Sequence, residues 1–237
     1  MGFYEDELQP MLRKTADVIE KCPHMQDFVN GTLSKEKFAF YMYQDYQYLL
    51  DYIKVWATAL GKSEDYEQIR DIMEILDANL VGIDYIRNTW TKDIGITVDE
   101  LDATIQSEGK RDYTSFQLMV ANTCDICGLF CSVFPCGIMY TYFGEDLLPK
   151  CKLPKDDPCY KWIEYYTTPE YKKEAANKIA ILNKYCTNKT PREKAKLLEI
   201  VAISCNYEII QWTRTYPNME TWPLEEIFPK KFTTIKE

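Results

Sequence analysis

Between residues 35 and 60, apolar and aromatic side chains recur at steps of three and four: Phe38, Tyr41, Met42, Tyr48, Leu49, Tyr52, Val55, Trp56 and Ala59. That period puts them on one face of a long α-helix. Ser34 is placed to cap it, with an acid in the first turn of Lys35-Glu36-Lys37, and Gly61 to close it. Residues 65–90 predict a second long helix, with Ile69, Ile72, Met73, Leu76, Leu80, Ile83 and Ile86 on one face and Gly82 loosening it. Asp93-Ile94-Gly95-Ile96 reads as a loop. Thr97 then caps a new helix, with Glu100 at the capping-box position.

Residues 111–121 and 125–142 predict two more helices, the second interrupted by Pro135, with Gly144 and Pro149 ending that block. Pro154 and Pro158 frame a loop before a helix over 159–166. Thr168-Pro169-Glu170 and Thr190-Pro191-Arg192-Glu193 each combine a cap with Pro at the first helical position. The second of these launches a helix to about Tyr216, and the tail from Pro217, with Trp222-Pro223 and Phe228-Pro229, reads as irregular. No stretch alternates with the period of two that a half-buried strand needs. There is no internal repeat and no low-complexity linker. The expectation is one all-α domain over 1–237, a bundle of eight to ten helices packed ridges into grooves.

Composition narrows the function. The 237 residues are 46% hydrophobic, enough for a substantial core, and include 18 Tyr and 5 Trp, which combine buried rings with polar tips. A net charge of −9 disfavours nucleic acid and anionic membranes as partners. The apolar run over 126–142 contains Cys, Gly, Ser and Pro and reads as too short to span a bilayer. Residues 1–13 carry three acids and no apolar core, so no targeting peptide is expected. The nine cysteines then read as reduced thiols of a cytoplasmic protein. Cys124, Cys127 and Cys131 fall along one helical stripe, where small apolar side chains pack. With no second Cys-x2-Cys and His24 as the single histidine, a metal cluster is the weaker reading.

The remaining chemistry gathers on a thiol and two acids. Cys136 lies in Phe134-Pro135-Cys136-Gly137-Ile138-Met139-Tyr140, Asp45 in Tyr43-Gln44-Asp45-Tyr46-Gln47-Tyr48, and Glu208 in Asn206-Tyr207-Glu208-Ile209. A thiolate is a strong nucleophile but must be activated, and no histidine is near in sequence. A carboxylate desolvated among aromatic side chains can move the proton instead. These residues suit covalent chemistry on a flat, weakly basic ring. Each also has a structural reading: a core thiol, a salt-bridged Glu208 near Arg214, an Asp45 satisfying a buried hydroxyl.

Four ordered stretches resemble the TenA/THI-4 family. They are Gly31-Thr32-Leu33 with Gln44-Asp45-Tyr46-Gln47-Tyr48-Leu49; Pro135-Cys136 with Tyr140 and Gly144; Trp162-Ile163-Glu164-Tyr165-Tyr166 with Pro169-Glu170-Tyr171; and Glu208 with Trp212. The resemblance implies a haem-oxygenase-like fold, a homotetramer and thiaminase II activity, the hydrolysis of aminopyrimidines or thiamin to hydroxymethylpyrimidine, with no cofactor. Carried over by motif, Cys136 is the nucleophile and Glu208 the proton-transfer acid. Asp45 grips the amidine edge, and Tyr48, Tyr113, Tyr140 and Tyr166 line and stack on the ring. Gly137 stands where the family commonly has an aromatic residue, and Phe134 where it often has leucine. A non-catalytic aminopyrimidine-binding protein on the same fold is the alternative, and haem binding a distant one, since His24 lies outside the expected pocket.

Overall fold

The computed structural model describes residues 2–222, and among these there is no strand. Twelve α-helices follow one another: α1 (Gln9–Glu20), α2 (Pro23–Asn30), α3 (Lys35–Gly61), α4 (Tyr66–Tyr85), α5 (Thr91–Ile94), α6 (Val98–Ala103), α7 (Glu108–Thr123), α8 (Ile126–Leu147), α9 (Pro158–Tyr165), α10 (Pro169–Cys186), α11 (Pro191–Ile210) and α12 (Tyr216–Asn218). A π-helical turn over Tyr4–Leu8 leads into α1, and others over Ile86–Trp90 and Gln211–Thr215 join α4 to α5 and α11 to α12. The caps fall where their sequences place them. Ser34, Thr97, Thr168 and Thr190 accept from backbone N–H groups, with full capping boxes at Thr97 and Thr190. Each such cap is worth about 1 kcal/mol.

Helix α8 is the axis of the fold, packed by α1, α3, α7, α9, α10 and α11. Almost every residue from Cys127 to Gly144 is buried. The stretch Ile126–Lys150 is long and apolar enough to cross a membrane, contrary to the reading from its small and polar residues; 78% of its apolar window is instead covered by protein. Pro135 does not interrupt the helix. Proline removes the bond to the residue four back and crowds that turn. The carbonyl that loses its donor is that of Cys131; the next one, of Ser132, accepts from Gln117 Nε2 (3.2 Å) and Ser204 Oγ (2.7 Å), which tie this turn to α7 and α11. Gly144 does not end the helix either. A Cβ there would stand 2.9 Å from Thr167 Cγ2 and 3.1 Å from the Tyr166 carbonyl carbon, so glycine permits the close crossing of α8 and the end of α9.

Other expectations shift. Gly61 is the last residue of α3 rather than its stop, with Lys62 as a right-handed C-cap. Helix α4 passes Gly82 unbroken to Tyr85, where the π-helical turn takes over. Its buried face is Ile72, Ile75, Leu76, Asn79 and Ile83. Ile69, Met73 and Leu80, assigned to that face by period alone, are 42%, 41% and 49% exposed. Helices α1 and α2, which are not among the helices expected from the sequence, cover one end of the core through Leu12, Ile19, Met25 and Phe28. Burying each such side chain contributes about 1.5–3 kcal/mol. Of the tail, Pro223 and Phe228-Pro229 lie outside the described residues.

Candidate active site

Helix α3 presents Tyr41, Asp45, Tyr48 and Tyr52 at steps of four, three and four, a single stripe facing α8 and α9. From α8 come Cys136 and Tyr140, one turn apart. Tyr166 caps the C-terminus of α9. Asp45, Tyr52, Cys136, Gly137, Tyr140, Trp162 and Tyr166 line one cavity of about 100 Å³. Tyr48, Tyr113 and Glu208 stand behind that wall rather than in it, all buried. All seven residues expected at a site therefore converge on one region of the core.

The aromatic lining is continuous. Tyr140 packs on Tyr166 (centroids 5.0 Å apart) and on Trp162 (6.1 Å). Behind the cavity Tyr48 stacks on Tyr113 at 5.4 Å, and Tyr113 on Tyr207 at 5.2 Å. Gln117 Nε2 donates to the Tyr48 hydroxyl at 2.8 Å. That leaves the tyrosine's own proton for the sulfur of Cys136, whose ionised form Tyr48 favours.

Electrostatics separate the three acids. Burial, joined by the nearby Glu208 and Asp45, pushes the Cys136 thiol well above its usual range, so it rests protonated. Burial raises Asp45 as well, opposed by Lys110. Glu208 is raised from 4.5 to about 7, by burial first and Asp45 second. Lys110, Tyr113 and Cys136 pull it the other way, although the Tyr113 hydroxyl makes no hydrogen bond of normal geometry. A carboxyl poised near neutrality beside a protonated thiol is what a general base for that thiol needs. Pairs of acids whose environments set different proton affinities are a recurrent mark of reacting sites.

Lys110 escapes the sequence reading. It sits in Glu108-Gly109-Lys110-Arg111-Asp112, which looks like a solvated helix start, yet it is 3% exposed. Its Nζ donates to the Tyr216 hydroxyl at 2.6 Å and lies 4.4 Å from the Tyr48 ring centroid. The first turn of α7 is drawn inward because Gln211 Nε2 donates to the Gly109 carbonyl and Gln44 Oε1 accepts from Ser107 N–H. This ammonium opposes the mutual repulsion of Asp45, Glu208 and a Cys136 thiolate. Glu174 and Lys178 of α10 and Asn79 of α4 also line the cavity, with no signal in their own sequence contexts.

His24 is buried against Phe28 and Trp212, outside the cavity lining; burial lowers it from 6.5 to about 4. The nine cysteines are free thiols. Cys127 Sγ donates to the Tyr185 carbonyl (3.3 Å). Among the described residues no three His, Cys, Asp or Glu side chains are grouped to hold a metal ion.

Known proteins align with this arrangement. The profile of the TENA/THI-4/PQQC family matches residues 10–218. An aminopyrimidine aminohydrolase of Halalkalibacterium halodurans is 32% identical over 204 residues, spanning 84% of this chain and 89% of that protein. An aminopyrimidine aminohydrolase of Helicobacter pylori is 27% identical over 82% of this chain and 89% of its own length. In structure, a TenA homologue from P. horikoshii OT3 superposes with a TM-score of 0.79 at 20% identity, covering 92% of this chain and 99% of that one. A Shewanella denitrificans domain described as having a heme oxygenase-like fold superposes with a TM-score of 0.64 at 15% identity, covering 90% and 92%. These two give the fold.

Proposed function

The chain belongs to the TENA/THI-4/PQQC family, and from that premise we propose that it is an aminopyrimidine aminohydrolase of the thiaminase II type, serving thiamin salvage through Cys136 as nucleophile. The observation that carries the reading is that Cys136 and Asp45, from two helices, line one aromatic-walled cavity while Glu208, from a third, stands buried behind its wall and interacts with both. The name of the 32%-identical relative supports the same substrate class.

The roles follow from the surroundings. Asp45 pairs with the ring nitrogen and exocyclic amine of an aminopyrimidine, and its raised proton affinity suits a shared proton there. A protonated ring accepts electrons. Ionised Glu208 takes the thiol proton, and the sulfur adds to a ring carbon as the ring electrons move to the protonated nitrogen. Their return breaks the bond between the exocyclic methylene and its amine, which leaves with a proton. Water, deprotonated as it attacks, replaces the amine at the methylene. The sulfur then departs, restoring the aromatic ring and leaving the hydroxymethyl product. Tyr140 and Tyr166 form the wall against which the flat ring packs, and Tyr48 and Tyr113 hold the thiol and the carboxylate in register.

The test is the release of ammonia and hydroxymethylpyrimidine from 4-amino-5-aminomethyl-2-methylpyrimidine by the purified protein. Tight binding with no ammonia would refute hydrolysis and leave a binding protein. A homotetramer is part of the proposal, supported by the exposed Tyr66, Ile69, Met73, Leu80 and Val81 on α4; sedimentation equilibrium checks it. Cytoplasmic residence, supported by the free thiols, is read by cell fractionation. The charge of −9 supports a small molecule, rather than nucleic acid or membrane, as the partner.

A further inference from the structure

The cavity continues past Cys136 into the seam between α4 and α10, where Asn79, Gly82, Glu174 and Lys178 line it. None of these has a part in the chemistry above. Lys178 is 6% exposed and its Nζ pairs with Glu174 Oε1 at 2.5 Å, one turn back on the same helix. Asn79 is 8% exposed, and its Nδ2 has no hydrogen-bond partner. The two helices run antiparallel in a fixed register: Asp71 of α4 accepts from Lys184 Nζ (3.0 Å) and from the Tyr185 hydroxyl (2.6 Å) of α10. Two turns further along α4, Asn79 reaches the level of Lys178.

This end of the cavity is distinct from the Asp45 end. Asp45 and Tyr52 stand seven residues apart on α3, roughly 10 Å along its axis. Lys178 belongs to the Tyr52 end, which Gly137 holds open. A Cβ on Gly137 would lie 3.2 Å from the Tyr52 hydroxyl and 3.7 Å from Lys178 Nζ, so a larger residue there would fill the space in front of the lysine. A pyrimidine with its amidine edge at Asp45 and its reacting carbon at Cys136 directs its substituent to this end. The Glu174–Lys178 pair is neutral overall, so it does not select by charge. What the seam lacks is an acceptor for the Asn79 amide. A buried donor without one carries an uncompensated desolvation cost.

We propose that Asn79 and the Glu174–Lys178 pair form a leaving-group subsite, which selects substrates whose departing amine carries an oxygen acceptor over those that release bare ammonia. The subsite rests on the aminohydrolase reading for its name but not for its test. Four aminopyrimidines are compared, differing at the 5-aminomethyl nitrogen: unsubstituted, N-ethyl, N-acetyl and N-(2-hydroxyethyl). The acetyl arm reports a carbonyl acceptor, the hydroxyethyl arm a hydroxyl, and the ethyl arm supplies bulk without oxygen. Intrinsic leaving-group differences cancel when each ratio is compared between wild type and variant.

The ratio of kcat/KM for an oxygenated arm over N-ethyl should fall about tenfold in Asn79→Leu, the worth of one hydrogen bond. For the N-acetyl arm it should fall by as much or more in Asn79→Asp, which keeps the shape and turns the donor into an acceptor; the hydroxyethyl arm, whose hydroxyl can donate to the carboxylate, should fall less. The same ratios are read as Kd by calorimetry in a Cys136→Ser background, where turnover is not required. Ratios within twofold of wild type for both arms in both variants overturn the subsite, whatever the turnover. A change in the Kd ratios without any hydrolysis by the unmodified protein would uphold the subsite while removing the hydrolase reading.

Discussion

Glu208→Gln is the most exposing perturbation of this site, because it should weaken the enzyme and strengthen the fold together. Raising the carboxyl from 4.5 to about 7 means that the interior disfavours its ionised form by about 3 kcal/mol. A carboxyl raised in the folded state contributes its full stability below pH 4.5, and that contribution is lost as pH rises through about 7. Glutamine keeps the shape and stays neutral. The variant should therefore match wild type near pH 4.5 and gain up to about 3 kcal/mol above pH 8, with Tm rising by about 2–4 °C per kcal/mol for a chain of this size. Chemical denaturation at the two pH values reads this directly.

Turnover should move the other way. Losing a positioned proton acceptor costs about 10²–10⁴ in kcat, or about 3–5 kcal/mol of barrier. Affinity for hydroxymethylpyrimidine should change far less, since the shape is preserved. Wild type should show a rate that rises with pH through about 7, as Glu208 ionises to accept the thiol proton. That acidic limb should disappear or move in the variant, while any basic limb from the thiol or substrate remains. Poor ligand binding with normal saturated turnover and both limbs intact would refute the role, and the proton would then travel through Asp45 or a tyrosine.

Cys136→Ser should abolish hydrolysis with the fold intact by circular dichroism; activity within a few-fold of wild type would exclude a covalent step. Cys124→Ser and Cys127→Ser should each keep most activity, and large losses in both would point to a metal. Asp45→Asn should weaken aminopyrimidine binding roughly ten- to a hundredfold by calorimetry, since charge-assisted hydrogen bonds are worth about 1.5–3 kcal/mol. His24→Phe should flatten the acid side of the stability profile: the histidine is lowered to about 4 in the fold, so wild type loses up to about 3 kcal/mol between pH 6.5 and 4. Identical pH dependence in the variant would show that His24 does not titrate on unfolding.

The long helices were legible because their caps and periods agree, as at Ser34 with α3 and Thr190 with α11. Period alone misled on α4. Its sequence is apolar on more than one side, and only packing decides that Ile75 is buried and Ile69 is not. The proline rule at Pro135 is local, whereas the contacts that hold its turn in place come from Gln117 and Ser204, eighteen residues before and sixty-nine after it. The grouping of the seven candidate residues in one region of the core was legible through motif, since motif ties residue types to fixed places. Lys110 was not. A lysine between Gly109 and Arg111 is a surface residue by every local rule, and its burial depends on distant contacts from Gln44 and Gln211 to its turn. Asn79, Glu174 and Lys178 belong to a seam between two helices about a hundred residues apart, which no single window of sequence contains.

The central position of α8 carries a consequence for biosynthesis. Its apolar stretch ends at Lys150, whereas α11, one of its principal partners, is complete only at Ile210. Ribosomes add roughly 5–20 residues per second, so about 60 residues of synthesis separate the two, a delay of roughly 3–12 s. During that interval the nascent chain presents a segment with the length and apolarity of a membrane anchor and without the helix that finally covers it. Holding this segment away from the lipid-targeting machinery is then a task for the earlier helices α1, α3 and α7, and for whatever chaperone meets the chain at the ribosome exit.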